Sequence, residues 1–96
     1  MEVAYFIEWN VGTEQQAIQV GEKLRSQGAI PPQGSVFHAE GAVGSGQWVF
    51  DIWESEEHAR EFYDRRLAPI LKEFDAPEPN RRSLGLRWHS NQPPLE

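Results

Sequence analysis

Between Glu2 and Trp9 the side chains sort with a period of two, Val3, Tyr5, Ile7 and Trp9 to one side and Ala4, Phe6 and Glu8 to the other. That is the period of a half-buried strand. After Asn10-Val11-Gly12 the spacing lengthens. Thr13 stands three residues before Gln16, the arrangement of a capping box at a helix start. Ala17, Val20, Gly21 and Leu24 then recur at helical spacing up to Gly28, a stop signal. Pro31-Pro32-Gln33-Gly34 breaks the chain, and Ser35 to Glu40 alternates again. The glycine-rich stretch from Gly41 to Gly46 leads into Gln47 to Trp53, which predicts a hairpin of two further strands. Ser55 is placed to cap a second helix, with Glu56 and Glu57 in the first turn where the macrodipole favours acids. Ala59, Phe62, Tyr63, Leu67, Ile70, Leu71 and Phe74 form its apolar stripe. Pro69 falls inside that stripe, where its missing N–H and its ring predict a kink or break near residues 65–68. Asp75 to Asn80, with Pro77 and Pro79, reads as a loop, and Ser83 to His89 as a fourth strand.

The predicted order is β-α-β-β-α-β. It specifies an α+β fold of ferredoxin-like type, a four-stranded antiparallel sheet with two helices on one face, as a single domain over residues 1–90. Residues 91–96 are expected to be a flexible tail, and Leu95-Glu96 resembles the junction left by a purification tag. Neither face of the sheet is cleanly polar. Val3, Tyr5, Ile7, Trp9, Phe37, Trp48, Phe50, Ile52, Leu84, Leu86 and Trp88 make a strongly apolar set, and Ala4, Phe6, Val36, Val49 and Trp53 remain for the other side. A sheet apolar on both faces needs two partners. One is the helix layer, and the other is expected to be the same face of a second copy, giving a homodimer. Alternation defines faces without saying which one meets the helices.

Composition narrows the setting. A 96-residue chain buries only about two thirds of the surface its unfolded form exposes, so a single copy is expected to be marginal. At 39% hydrophobic and 25% charged residues, it is a folding sequence and not a disordered one. The net charge of −6 gives no general attraction to nucleic acid or to an anionic membrane, and Arg81-Arg82 is too short a basic cluster to reverse that. No apolar run is long enough to span a bilayer, and the first residues lack the regions of a signal peptide, so a cytoplasmic location is expected. The absence of cysteine removes disulfides, thiolate nucleophiles and thiolate metal sites together.

Candidate chemistry concentrates on the hairpin. If it pairs symmetrically about its glycine turn, His38 lies opposite Asp51, within reach for a carboxylate to hold and polarise an imidazole. Such a pair can take a proton from a phenol or an activated carbon acid near neutral pH. It would equally serve to satisfy two polar groups on a half-buried face. Trp53 shares the face of Asp51, and Tyr63 is placed to close a cleft from the helix side. With Phe6, these flat aromatics suit a flat ligand, or fill a core. Arg87 and His89 share a face of the fourth strand and could hold a carboxylate or enolate oxygen, or simply line a solvated edge. Glu8 and Glu40 fall on the same polar face or its rim. His38, His58 and His89 are the candidate metal ligands, but no short-spaced ligand pair exists and no metal is expected. The acids Glu54, Glu56, Glu57, Glu61 and Asp64 read as the solvated face of a helix. The glycine turn enters a strand, not a helix, and so lacks the N-terminus a phosphate site requires.

Phe37-His38-Ala39-Glu40-Gly41, the following turn, Trp48 to Ser55, and Phe62 to Pro69 together resemble small bacterial proteins of the dimeric α/β-barrel superfamily, of the antibiotic biosynthesis monooxygenase-like type. The resemblance covers residues 34–71 and extends to the rest only by pattern. It implies the ferredoxin-like fold, a homodimer, and a cofactor-free oxygenase, or a related cyclase or isomerase, acting on an aromatic or polyketide-like molecule. On that reading His38 is the base and Asp51 its orienter, with Phe6, Trp53, Tyr63, Arg87 and His89 about the substrate. The alternatives are a non-catalytic ligand-binding protein, a stress-associated dimer with a filled core, and a heme-degrading protein that would need His38 or His89 as axial ligand. One fold hosts many chemistries, so the decision rests on the site.

Overall fold

The computed structural model describes residues 1–9, 14–44 and 46–90. Four strands, β1 (Val3–Trp9), β2 (Ser35–Val43), β3 (Gly46–Trp53) and β4 (Asn80–Leu84), form one sheet in the order β2-β3-β1-β4, with every neighbouring pair antiparallel. The central strands β1 and β3 supply the buried positions of the sheet. Neither β2 nor β4, the edge strands, has a buried residue, and β4 ends the sheet with Arg81 and Arg82. Polar, charged edges resist pairing with stray chains.

Helix α1 (Glu14–Ser26) connects β1 to β2. Its end is a Schellman motif: Gly28 adopts φ +70°, Gly28 N–H donates to Arg25 O, and Ala29 N–H donates to Leu24 O. The expected Thr13 cap lies outside the described residues, as do Ser45 in the hairpin turn and the tail 91–96. The second helical run starts at Ser55, whose hydroxyl accepts from His58 N–H, and passes through α2 (Glu56–Arg60), a π-helical segment (Glu61–Leu67) and α3 (Ala68–Glu73) without interruption. The kink expected at Pro69 is therefore a widened turn. Ala68 N–H donates five residues back to Tyr63 O, and the added width relieves the clash a proline ring makes with the carbonyl four residues before it.

Val20 and Leu24 of α1 share one core with Ala59, Tyr63, Leu67, Ile70 and Leu71 of the second helical run and with Tyr5, Ile7, Val49 and Trp53 of the sheet. Both helices thus cover the same face, and the fold is the expected ferredoxin-like α+β arrangement. The register corrects the grouping of apolar positions. Tyr5 pairs with Asp51 and Ile7 with Val49, so Val3, Tyr5, Ile7 and Trp9 face the helices together with Val49 and Trp53. Ala4 and Phe6 instead share the open face with Phe37, Trp48, Phe50, Ile52 and Leu84, since Phe6 pairs with Phe50 and Ala4 with both Ile52 and Leu84. On that face Trp48 lies so close over Gly41 that a Cβ there would sit 2.8 Å from the indole nitrogen.

The fourth strand is also displaced from its expected position. It begins at Asn80, opposite Glu8, and its last pair is Leu84 with Ala4. β1 starts only one residue beyond that pair, so the strand ladder stops at Leu84 and residues 85–89 run on outside it.

Candidate active site

The antiparallel register of β2 and β3 places His38 opposite Asp51, five pairs from the turn pair Val43 and Gly46. Both side chains point to the helix face, where β3 is buried and β2 is at the edge. Asp51 is the buried charged residue of this core, 4% exposed, whereas half of the His38 side chain is open. His38 Nδ1 lies 2.5 Å from Asp51 Oδ1. An ionised carboxylate can only accept, so Nδ1 carries the proton and donates it. The hydrogen bond to Asp51 raises the pKa of His38 above its ordinary value, reinforced by the charges of Asp51 and Glu40 and opposed by partial burial. The outer nitrogen Nε2 is 3.8 Å from Glu40 Oε2, too far for a hydrogen bond.

On the other side of the carboxylate, Tyr63 O–H donates to Asp51 Oδ2 at 2.6 Å, and Trp53 Nε1–H donates to the Tyr63 oxygen at 2.9 Å. Burial, then the neighbouring Asp51 charge, raises the pKa of Tyr63 well beyond that of a free phenol, so it remains a donor throughout the working pH range. The ring of Tyr63 meets those of Tyr5 and Trp53 edge-on at 5.3 and 5.5 Å, and the Arg81 guanidinium lies 4.8 Å from its centroid. Arg81 is in turn paired with Asp64 at 3.2 Å.

His38, Asp51, Trp53 and Tyr63 border a cavity of about 310 Å³ between α1, the loop after it, the second helical run and the sheet. Its walls are apolar, with Ile7, Val20, Leu24, Val49, Trp53 and Phe62 prominent, and His38, Glu40 and Asp51 are among its few charged groups. A mostly apolar pocket with a few convergent polar groups is the usual form of a small-molecule site. His38, Asp51, Trp53 and Tyr63 are all brought to it. Phe6 is not: the pleat sends it to the open face, where the Arg82 guanidinium lies 5.6 Å from its ring. Arg87 and His89 do not line it either, because they lie beyond the end of β4, where His89 Nε2 is 3.1 Å from Glu2 Oε1. The third histidine, His58, has Nδ1 2.7 Å from the Ser55 hydroxyl. Among the described residues no three acids and histidines converge as a metal-binding group.

Sequence reading missed Gln16, Ala17 and Gly21 as cavity residues, because α1 shows there only a narrow stripe. It also missed Arg81, which lies over the Tyr63 ring outside that cavity and shares the helix face with Ser83 once β4 is extended back to Asn80.

No protein-family model matches the chain, and no curated protein matches it. Among the solved structures that resemble it in fold are two of contrasting origin. One is SnoaB, a cofactor-independent oxygenase from Streptomyces nogalater, solved as a point mutant: 15% identity, TM-score 0.66, covering 95% of this chain and 98% of that one. The other is the de novo designed protein Foldit4: 16% identity, TM-score 0.59, covering 91% and 100%. At such identities the likeness establishes the fold, and a designed protein sharing it shows how little the backbone alone says about chemistry.

Proposed function

We propose that this protein is a cofactor-free acid/base enzyme of the monooxygenase-like type, acting on an aromatic or polyketide-like small molecule. The observation that carries the reading is the His38–Asp51 pair at the border of an apolar cavity, on a fold shared with a cofactor-independent oxygenase. His38 Nε2 is the base and Asp51 holds the ring. The apolar walls suit a flat, weakly acidic substrate, a phenol or a methylene flanked by carbonyls. Its conjugate base is held by the imidazolium formed on proton transfer, which keeps Nδ1–H on Asp51. Dioxygen then takes electrons from that carbanion and forms a C–OOH bond. Loss of water from the hydroperoxide leaves a carbonyl, so one CH2 and one O2 become one C=O and one H2O. The test is oxygen uptake across a panel of phenols, anthrones and 1,3-dicarbonyls, run beside an NMR titration of His38. A compound that both shifts the His38 titration and consumes oxygen supports the enzyme. One that shifts His38 without turnover makes the protein a binder, and an inert panel with an unresponsive His38 refutes the reading.

We further propose that the open face of the sheet packs on a second copy. Phe37 and Val43 are each at least 43% exposed on that face, which they share with the half-buried Phe6, Trp48 and Phe50, and an apolar surface of that kind on a small domain calls for a partner. Phe50→Glu places a charge in the middle of that patch. Sedimentation is expected to show a dimer for the native chain and a monomer for the variant; a native monomer at micromolar concentration overturns this assignment.

A further inference from the structure

We infer that Tyr63 is a positioning residue whose hydroxyl, held in one direction by the Trp53 indole, holds the Asp51 carboxylate in place against His38 and sets how strongly it draws the His38 proton. The inference rests on the acid/base reading above but is argued from the hydrogen-bond inventory of four side chains.

An indole N–H can only donate. At 2.9 Å from the Tyr63 oxygen it occupies one lone pair and leaves the phenol proton to go elsewhere. Asp51 Oδ2, 2.6 Å away, receives it. The carboxylate is thereby held at one oxygen by a donor that cannot reverse, and its other oxygen faces His38 Nδ1 at 2.5 Å. Every member of the chain Trp53 → Tyr63 → Asp51 ← His38 has a defined role, and the result is one imidazole tautomer, with Nε2 free to accept a proton. No buried polar side-chain atom among the described residues lacks a hydrogen-bond partner, so the orientation is not forced by some unsatisfied neighbour. Trp53 and Tyr63 reach Asp51 from different elements, β3 and the π-helical segment, and the wide turn between Tyr63 and Ala68 lies directly beside this contact.

The sign of the effect follows. A hydrogen bond donated to Asp51 lowers the carboxylate's pull on the His38 proton. Removing it raises the His38 pKa, and strengthening it lowers that pKa. Tyr63→Phe keeps the ring and deletes the donor. It is expected to raise the pKa of His38 while leaving the proton of the neutral ring on Nδ1, read from the pH dependence of the imidazole 15N shifts. Because Tyr5 and Tyr63 are the only tyrosines, incorporating 3,5-difluorotyrosine into a Tyr5→Phe background alters Tyr63 alone, makes it a stronger donor, and is expected to move the His38 pKa downward. Opposite shifts in the two proteins establish the positioning role. An unchanged His38 titration in the fluorinated protein overturns it, even if Tyr63→Phe fails to fold. The readout is taken on the free protein, so it stands or falls independently of whether any panel compound is turned over.

Discussion

Trp53→Ala is expected to cost about 3–5 kcal/mol of folding stability, the largest loss available to a single substitution in this chain. Trp53 is 1% exposed, is one of the largest fully buried side chains, and packs at 5.4 Å on the tilted Phe62 ring and edge-on at 5.5 Å on Tyr63. It is thus the contact through which β3 holds the second helical run. Alanine removes the packing and also takes away the donor to Tyr63. The void would open onto a cavity already present, so the surroundings have little means of collapsing into it. A domain of this size has a total stability near the lower end of about 5–15 kcal/mol, so the variant is expected to be substantially unfolded at room temperature. Trp53→Phe keeps an aromatic ring and loses chiefly the hydrogen bond, about 1 kcal/mol, plus the smaller volume. Urea unfolding at fixed protein concentration separates the two, the fixed concentration being needed because any dimer would contribute mass-action stability. A loss below about 1 kcal/mol for alanine would mean that the sheet and helix are held elsewhere.

How far the sequence discloses this site depends on which contacts are local. The hairpin is local: once Val43 pairs with Gly46 at the end of the glycine-rich stretch, regular pairing places His38 against Asp51, and that is the register found. The neighbouring strands are not. β1 meets β3 only after the chain has travelled through α1 and β2, and a slip of one residue exchanges every side chain between faces. Alternation in β1 therefore could not say whether Tyr5 or Phe6 would stand beside Asp51, and Phe6 was drawn toward the site when Tyr5 belongs nearer to it. β4 illustrates a different difficulty. Leu84, Leu86 and Trp88 sustain a strand period past the point where β1 offers partners, so pattern outlasts pairing. Tyr63 was visible as part of a helical stripe, yet its hydrogen bond to Asp51 depends on the pitch of a π-helical segment, which no periodicity at 3.6 residues discloses. Pro69 signalled that the helix would be perturbed there, but not that the perturbation would be a widening.

His38→Ala is expected to lower turnover by a factor of about 10² to 10⁴, the usual worth of a positioned general base, while leaving the fold intact. Its side chain is half exposed on an edge strand, so its removal opens no core void, and water can reach the freed Asp51 oxygen. The pH dependence supplies the sharper criterion. The free base is the active form, so kcat/KM rises with pH through the pKa of His38, and the hydrogen bond to Asp51 places that rise above the ordinary imidazole value. In Asp51→Asn the hydrogen bond and charge that raise it are lost, so the ascending limb is expected to shift to lower pH even as the maximal rate falls. A raised folded-state pKa also means that protonated His38 stabilises the fold at pH below its unfolded value, and that this contribution disappears as pH rises through the folded value. Native stability should therefore decline slightly over the interval in which activity grows, and in His38→Ala that decline should vanish. A catalytic limb that stayed in place in Asp51→Asn would assign the titration to another group and remove His38 from the chemistry.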